Sequence, residues 1–329
     1  MNRPFRLSAI VVACTASLAP GCLNRPLEPI EPRTTTTVQQ TLPGVEVVDI
    51  STQGVSPPRV LITVRGGSGL KSGQLILETI ARLSNDQAAV RLVAGVGTDA
   101  FGGDGGPATD ALLKNPRAVA VDTAGVIYIA DTENERIRRV TPDGTIETIA
   151  GSGVRGPTGN GGPAAEADMA DPRGLAFLPN GDLLIGEHSG QAIRRISFTT
   201  GTIETFAGRG ILGFGGDTRE AARANLNFPV GIATDALGNL WIADRFNDRI
   251  RKVDADLIID TFAGSNRSEL GDGDLATKAS LRNPLGVAVD TLGRVYIADT
   301  QNNRVRMVDI DGTISTLAGT GERGFSGDG

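Results

Sequence analysis

The chain has 329 residues, a formal net charge of −6, one histidine and two cysteines. A net negative charge disfavours binding to phosphate backbones, so nucleic acid is a poor partner. Both cysteines lie within the first 22 residues. The rest of the chain must therefore be stabilised by packing and not by disulfide bonds.

Residues 1–21 are typical of a signal peptide. A short basic start with Arg3 and Arg6 precedes an apolar run from Leu7 to Ala19. The run is about 13 residues long, whereas a helix needs about 20 to cross a hydrocarbon core. We therefore predict an exported protein without a transmembrane anchor.

Cys22 follows Ala19-Pro20-Gly21, and this arrangement resembles the lipobox of bacterial lipoproteins. The resemblance implies a lipid anchor on Cys22 and a place in the cell envelope or outer membrane of a bacterium. Two alternatives stay open. Cys14, after Val11-Val12-Ala13, matches the local pattern but leaves a short apolar core, and ordinary signal cleavage would give a secreted protein.

Residues 22–57 are rich in proline and threonine and show no sustained periodicity. This composition predicts a flexible or extended tether that holds the folded region, 58–329, away from a membrane.

A repeated unit fills most of the folded region. The prolines that open four successive copies are Pro116, Pro172, Pro229 and Pro284. A fixed period of about 56 residues indicates a solenoid, a propeller or an array. The repeat units are 94–149, 150–206, 207–262 and 263–317.

Each unit contains four short runs rich in valine and isoleucine, such as AVAVD, VIYIAD, RIRRV and TIETIA, separated by turns that carry glycine. The pattern predicts four antiparallel strands joined in sequence. Such a sheet has two apolar faces that need neighbours, and radial stacking supplies them. We predict an all-β fold, a β-propeller of four-stranded antiparallel blades.

The block GVAVD, glycine, YIADTxNxRIRxV and Gly-x-Ile-x-Thr resembles the NHL repeat, and the resemblance covers residues 94–319. It implies a propeller that commonly has six blades, in a family of scaffolds, receptors and a few enzymes. Residues 58–93 resemble a degenerate blade, and residues 318–329 repeat the start of a further unit. We therefore expect the natural chain to continue with another blade.

One rim of this propeller should carry the turn between the second and third strands, together with long glycine-rich connectors. That turn holds an acid in every copy and usually an asparagine three residues later: Asp131, Asn134, Glu187, Asp244, Asn247, Asp299 and Asn302. Converging carboxylates and carbonyl oxygens suit a hard cation, so this rim is a candidate calcium or ligand site.

The alternative is structural. Each acid would accept backbone N–H groups of its own turn and pair with Arg136, Arg249 or Arg304. Likewise, the glycines around Asp104 resemble a nucleotide or calcium loop but lack Gly-Lys-Ser and a nine-residue period, which favours a simple turn.

The second unit departs from the others. It has Glu187-His188 in place of Asp-Thr, Gly190 in place of the asparagine and Ala192 in place of an arginine. Glu187 and His188 together could serve as a general base, or the change could be drift within one blade.

These observations favour a non-catalytic scaffold, without a resident cofactor, that binds a protein or glycan at its loop-bearing rim. The peptide-amidating lyases of this class use several histidines around zinc, and no Gly-x-Ser-x-Gly elbow is present. A metal-dependent lactonase- or lyase-like enzyme at the channel mouth, and a structural envelope or adhesion module, are the alternatives.

Overall fold

The computed structural model describes residues 45–53, 59–66, 91–265 and 267–324. The chain divides into two compact units, the first ending at Val93 and the second beginning at Ala94. The predicted signal peptide, Cys22, most of the tether, most of the degenerate blade and residues 325–329 lie outside the described residues. Within the described part, no helix is both long enough and apolar enough to cross a membrane.

The first unit contains one antiparallel hairpin, in which β1 (Val45–Gln53) pairs with β2 (Arg59–Gly66). β2 coincides with the first strand predicted for the degenerate blade. β1 lies inside the segment predicted as a tether, so that prediction does not hold for these residues. Its alternating valines and isoleucine favour strand pairing over an unpaired extended chain.

The second unit consists of four antiparallel sheets in chain order. Blade 1 contains β3 (Ala118–Val121), β4 (Ile127–Asp131), β5 (Arg136–Val140) and β6 (Ile146–Ala150). Blade 2 contains β7 (Pro172–Phe177), β8 (Leu183–Glu187), β9 (Ala192–Ser197) and β10 (Thr202–Ala207). Blade 3 contains β11 (Arg219–Glu220), β12 (Pro229–Thr234), β13 (Leu240–Asp244), β14 (Arg249–Val253) and β15 (Ile258–Ala263). Blade 4 contains β16 (Pro284–Val289), β17 (Val295–Asp299), β18 (Arg304–Val308) and β19 (Ile314–Ala318).

The helices in the described part of the second unit are single 3-10 turns. They span Ala108–Asp110, Thr132–Asn134, Ala164–Glu166, Ala221–Arg223, Arg245–Asn247, Ala276–Lys278 and Thr300–Asn302. The four strands predicted for each repeat unit, and their order in each sheet, are confirmed. The turn glycines have the positive φ that hairpin turns require, for example 81° at Gly125 and 87° at Gly144.

The sheets pack face against face, with the first strands β3, β7, β12 and β16 in successive contact. A buried apolar cluster fills each interface. The cluster between blades 1 and 2, for instance, contains Tyr128 and Ile137 from one sheet and Leu183 and Ile185 from the next. Each such side chain contributes about 1.5–3 kcal/mol when fully buried. The prediction that every blade needs neighbours on both faces agrees with this packing.

We name the two ends of the propeller by their turns. The upper rim is the end at which the chain enters each first strand and makes its second-to-third-strand turn: residues 114–117, 131–135, 170–173, 187–191, 227–229, 244–248, 282–284 and 299–303. The lower rim carries the first-to-second-strand and third-to-fourth-strand turns.

Adjacent blades are joined at the upper rim by a repeated hydrogen bond. Oε2 of Glu135 accepts the backbone N–H of Asp171 at 2.6 Å. In the next two interfaces, Gln191 accepts from Phe228 and Asp248 from Asn283, again at 2.6 Å. The donor and acceptor residues both have a left-handed backbone conformation, with φ 52° at Glu135 and 61° at Asp171. The side chain at the end of each second-to-third-strand turn thus fixes the position at which the first strand of the next blade begins.

The connectors between blades are packed structural elements. The second connector leaves the upper rim at Gly151, and the N–H of its Ala164 then bonds to the carbonyl of Gly201 at the lower rim of blade 2, at 2.9 Å. It therefore runs beside the outermost strand before it returns. In blade 3 this path forms β11, which pairs with β15. The expectation of connectors displayed at one rim holds only for their first and last residues.

Candidate functional site

The predicted rim carboxylates lie at the ends of the second strands and are buried, with Asp131 0% exposed. Oδ1 of Asp131 accepts the backbone N–H of Lys114 at 2.7 Å, and Oδ2 accepts the amide of Asn134 at 2.8 Å. Asp244 and Asp299 repeat this arrangement with Asn227, Asn247, Arg282 and Asn302. Each acid therefore fixes the end of a connector to its turn.

The arginine that pairs with each acid differs from the predicted one. Nη1 of Arg138, also 0% exposed, lies 3.3 Å from Oδ2 of Asp131. Arg136 instead donates to the carbonyls of Asn134 and Ser152 at 2.8 Å. The pairs Arg251 with Asp244 at 3.4 Å and Arg306 with Asp299 at 3.3 Å follow the same rule. Arg249 and Arg304 donate to the carbonyls of Asn247 and Asn302.

The aspartate of the Gly-Gly-Asp-Gly-Gly stretch completes the same network. Oδ1 of Asp104 lies 2.7 Å from Nη2 of Arg138, and its Oδ2 accepts the hydroxyl of Thr148 at 2.7 Å. The equivalent trios are Asp217 with Arg251 and Thr261, and Asp272 with Arg306 and Thr316. This stretch is therefore a turn that also supplies a counter-ion for a buried arginine.

The carboxylate ring is thus divided into separate buried ion pairs. Burial raises the pKa of Asp131, and it raises the pKa of Asp244 to about 6 although Asn247 and Arg251 stabilise the charged form. Within the described residues, no group of three or more histidine, cysteine, aspartate and glutamate side chains is placed to hold a metal ion. Calcium binding at this rim stays a prediction.

The second blade keeps the arginine but changes the acid. Oε1 of Glu187 lies 3.3 Å from Nη1 of Arg194. A Cβ atom added at Gly190 would lie 2.6 Å from Oε2 of Glu187, so the longer acid fills the space that asparagine occupies in the other blades. In the described structure Oε2 has no hydrogen-bond partner. The replacements at 187 and 190 are therefore coupled.

Glu187 and His188 point to different partners. Glu187 is 0% exposed, and burial raises its pKa to about 7 against the charge of Arg194. Nδ1 of His188 lies 3.1 Å from Oδ2 of Asp171. The two side chains suggested as a general base pair are thus held in separate networks.

His188 belongs to a cluster that joins blades 2 and 3. Its Nε2 lies 3.4 Å from Nη1 of Arg245. Because arginine can only donate, Nε2 accepts, and Nδ1 carries the proton that is donated to Asp171. The imidazole lies with its centroid 4.7 Å from the ring of Phe228. Nε of Arg245 donates to Oδ1 of Asn283 at 2.6 Å, which extends the cluster to blade 4.

Asp171 is the anion of this cluster. Arg173 donates to both of its oxygens, at 2.9 and 2.8 Å, and Ser189 donates at 3.1 Å. Burial alone would raise the pKa of Asp171, but the hydrogen bonds from His188 and Arg173 hold it well below its ordinary value. Burial, together with the nearby charge of Arg173, lowers the pKa of Arg245.

A polar cleft of about 440 Å³ opens on the upper rim beside this cluster, between blades 1 and 2. Arg117, Arg155 and Arg173 line it together with Glu135 and Asp171. Arg117 and Arg173 occupy equivalent positions, at which blades 3 and 4 have Val230 and Leu285.

Comparison with known proteins identifies the repeat. A family model described as the teneurin NHL domain matches residues 77–158 and 265–326. NHL repeat-containing protein 2 of Homo sapiens is 29% identical over 249 residues, which cover 65% of this chain and 34% of that protein. These matches confirm the predicted resemblance to NHL-repeat proteins. Protein SUPPRESSOR OF QUENCHING 1, chloroplastic, of Arabidopsis thaliana is 27% identical over 230 residues, 66% of this chain and 22% of that protein.

The chain thus spans about a third or less of the length of these relatives, at 34% and 22%. Among solved structures, an auxiliary nutrient binding protein from Bacteroides thetaiotaomicron superposes with a TM-score of 0.51 and 18% identity, over 79% of this chain and 62% of that one. This likeness supports the propeller fold.

Two sets of arginine side chains, one in the buried ion pairs and one at the upper rim, were not predicted from the sequence. The first set is the buried arginines Arg138, Arg194, Arg251 and Arg306. Three of them lie two residues after the proposed partners Arg136, Arg249 and Arg304. Their signal was present, because an arginine occupies this strand position in all four NHL units. The rim arginines Arg117, Arg173 and Arg245 could have been found as breaks in the repeat, in the way that His188 was.

We predict that Arg138→Ala destabilises the protein by about 3–5 kcal/mol, because it leaves Asp131 charged and unpaired in the interior. The matched control is Arg139→Ala on the same strand, where a partly exposed pair with Glu147 contributes at most about 1 kcal/mol. Urea denaturation of the full chain measures both. Equal losses in the two variants would contradict the assigned role of Arg138.

We predict that Gly190→Asn alone costs about 1–3 kcal/mol, because the new side chain overlaps Glu187. Adding Glu187→Asp should recover most of the loss by recreating the pair seen at Asp131 and Asn134. The measurement is a double-mutant cycle in urea, with an expected coupling of about 0.5–3 kcal/mol. Simple additivity of the two changes would show that the two positions are independent.

Proposed function

We propose that this NHL propeller is an exported, lipid-anchored, non-catalytic binding protein that engages a protein or glycan ligand at its upper rim. The observation that carries the proposal is a change at two repeated rim positions. The residue after the opening proline is Val230 or Leu285 in blades 3 and 4 but arginine in blades 1 and 2. These arginines line the polar cleft.

The second position follows the buried acid. It is threonine in blades 1 and 4, and Thr132 donates to the carbonyl of Pro172 in the next blade at 2.6 Å. In blades 2 and 3 it is His188 and Arg245. A fold that needs only a small inter-blade contact here has acquired imidazole and guanidinium groups. Polar side chains that exceed structural need at one rim support ligand binding there.

The arrangement of the acids supports binding over catalysis. Asp131, Asp244 and Asp299 each have an arginine and an asparagine amide on their side chains. An acid held this way can neither attack a substrate nor take its proton without breaking a buried ion pair. The single histidine is likewise held between Asp171 and Arg245.

To test the binding role, the purified full chain would be applied to a printed array of neutral and acidic oligosaccharides and to an extract of bacterial envelope proteins. We expect a retained ligand whose binding falls at least about tenfold in Lys114→Glu/Arg117→Glu, because these changes invert charge at the cleft. The control is Leu237→Glu/Leu292→Glu at the lower rim, where the leucines are 78% and 68% exposed.

Two results would contradict the binding proposal. One is retention that depends on the lower rim. The other is metal-dependent turnover of lactone or ester substrates by the purified protein, which would favour the enzyme instead.

The membrane part of the proposal rests on the sequence around Cys22 and is tested separately. Cells supplied with a labelled fatty acid should incorporate label into the wild-type protein and into Cys14→Ser. Cys22→Ser should lose the label, because the acylated thiol is gone. Equal labelling of all three proteins would discard the assignment to Cys22, and loss of label in Cys14→Ser alone would move the anchor to that residue.

A further inference from the structure

We infer that the upper rim of blades 1–3 holds a site for a carboxylate-bearing sugar, bound by the guanidinium groups of Arg117, Arg173 and Arg245. The inference rests on the proposed binding function and adds the chemical class of the ligand. Each arginine comes from a different blade, and each stands at a position where other blades carry a smaller or apolar residue. The site therefore exists only where three consecutive blades meet.

Two of these guanidinium groups have no carboxylate partner within the described residues. Arg117 is exposed and forms no ion pair there. Arg245 is half-buried, has Asn283 and His188 as its polar contacts, and stacks over the ring of Phe246. Neither polar contact of Arg245 supplies a negative charge, so a partly desolvated cation at this position would be stabilised by an anionic ligand. Anionic groups of a ligand bound along this rim would supply a counter-ion to each of them.

The acids around the cleft leave this positive charge uncompensated. Lys114 lies 3.6 Å from Glu133, and Arg155 lies 3.7 Å from both Glu135 and Asp171. Asp171 is also bound by Arg173. Each acid is therefore already engaged with a cation. The chain as a whole carries a net charge of −6. The positive charge of a cleft with unpaired arginines is therefore opposite in sign to that of the whole chain.

The lining of the cleft favours a sugar over a peptide. Every residue that lines it is polar or charged, so it offers no apolar pocket for a peptide side chain. Its volume of about 440 Å³ falls within the range of about 300–1,000 Å³ typical of small-ligand sites. The amide of Asn115 and the ammonium of Lys114 are donors suited to ring hydroxyls.

Aromatic rings extend the site on the side of Arg245. The rings of His188 and Phe228 lie 4.7 Å apart, and those of Phe228 and Phe246 lie 5.3 Å apart. Phe246 is 50% exposed, and the guanidinium carbon of Arg245 lies 4.4 Å from the centroid of its ring. A second sugar ring could lay its apolar face on this phenylalanine while its carboxylate reaches Arg245.

A carboxylate suits this rim better than a phosphate. Both anions accept the paired N–H groups of arginine. However, Asp171 and Glu135 lie in the same cleft and repel a dianion more strongly than a monoanion. The arginines also come from separate blades and do not form one compact cradle, which matches single charges repeated along a chain of acidic sugars.

The test is calorimetric titration of the full chain with short glucuronate, galacturonate and mannuronate oligosaccharides, each beside its methyl ester. We expect the acids to bind and the esters to bind at least about tenfold more weakly, because a charged hydrogen bond is lost. Arg117→Gln and Arg245→Gln should each weaken binding by about tenfold. The matched control is Arg219→Gln, an exposed arginine that lines a different cleft and should change binding less than twofold.

Four results would overturn the inference: equal affinity for acid and ester, stronger binding of a sugar phosphate or of an acidic peptide, full binding by Arg117→Gln and Arg245→Gln, or no binding of any uronate. If neutral glycans or envelope proteins still bind at the upper rim, the proposed binding function stands and only the ligand class is wrong. If nothing binds there, both fail. Circular dichroism of each variant separates a lost contact from a lost fold.

Discussion

The fold of this NHL chain depends on a buried ion pair that recurs once in each blade. An acid at the end of the second strand meets an arginine from the third strand, as Asp131 meets Arg138 at 3.3 Å. A buried pair of this kind contributes little net free energy, because desolvation offsets the Coulombic attraction. Its effect is specificity. It fixes the register of two strands and holds the connector through Asp104, so each blade and its connector form one unit.

The ion pair also determines what the upper rim can do. Because the carboxylates are used internally, the rim varies at positions that they do not occupy, such as those after the opening proline and after the acid. One or both of these positions hold arginine or histidine in blades 1–3, as Arg117, Arg173, His188 and Arg245, whereas blade 4 has Leu285 and Thr300. The structural network and the proposed binding surface thus share the same turns without sharing side chains.

Much of the fold could be predicted from sequence because the repeat supplies several aligned versions of each strand and turn. The strand order, the glycine turns and the stacking of sheets all follow from that periodicity. The arginine partner could not be assigned, since Arg136 and Arg138 lie on the same strand and only the depth of burial distinguishes them. The path of the connectors was also hidden, because Ala164, Ala167 and Met169 are too sparsely spaced to show that they fill the core between blades.

The position of the connectors has a consequence for the behaviour of the protein in a crowded compartment. The outermost strand of a sheet carries unpaired backbone groups that can recruit strands from other molecules. Here that margin is partly covered. In blades 1 and 2, isolated β-bridges join Pro107 to Thr145 and Pro163 to Thr202 at this edge. In blade 3, β11 pairs with the outermost strand β15. Proline lacks an amide hydrogen and cannot extend the ladder outward. The outer edges of the described blades are therefore partly shielded against edge-to-edge pairing by the same segments that join one blade to the next.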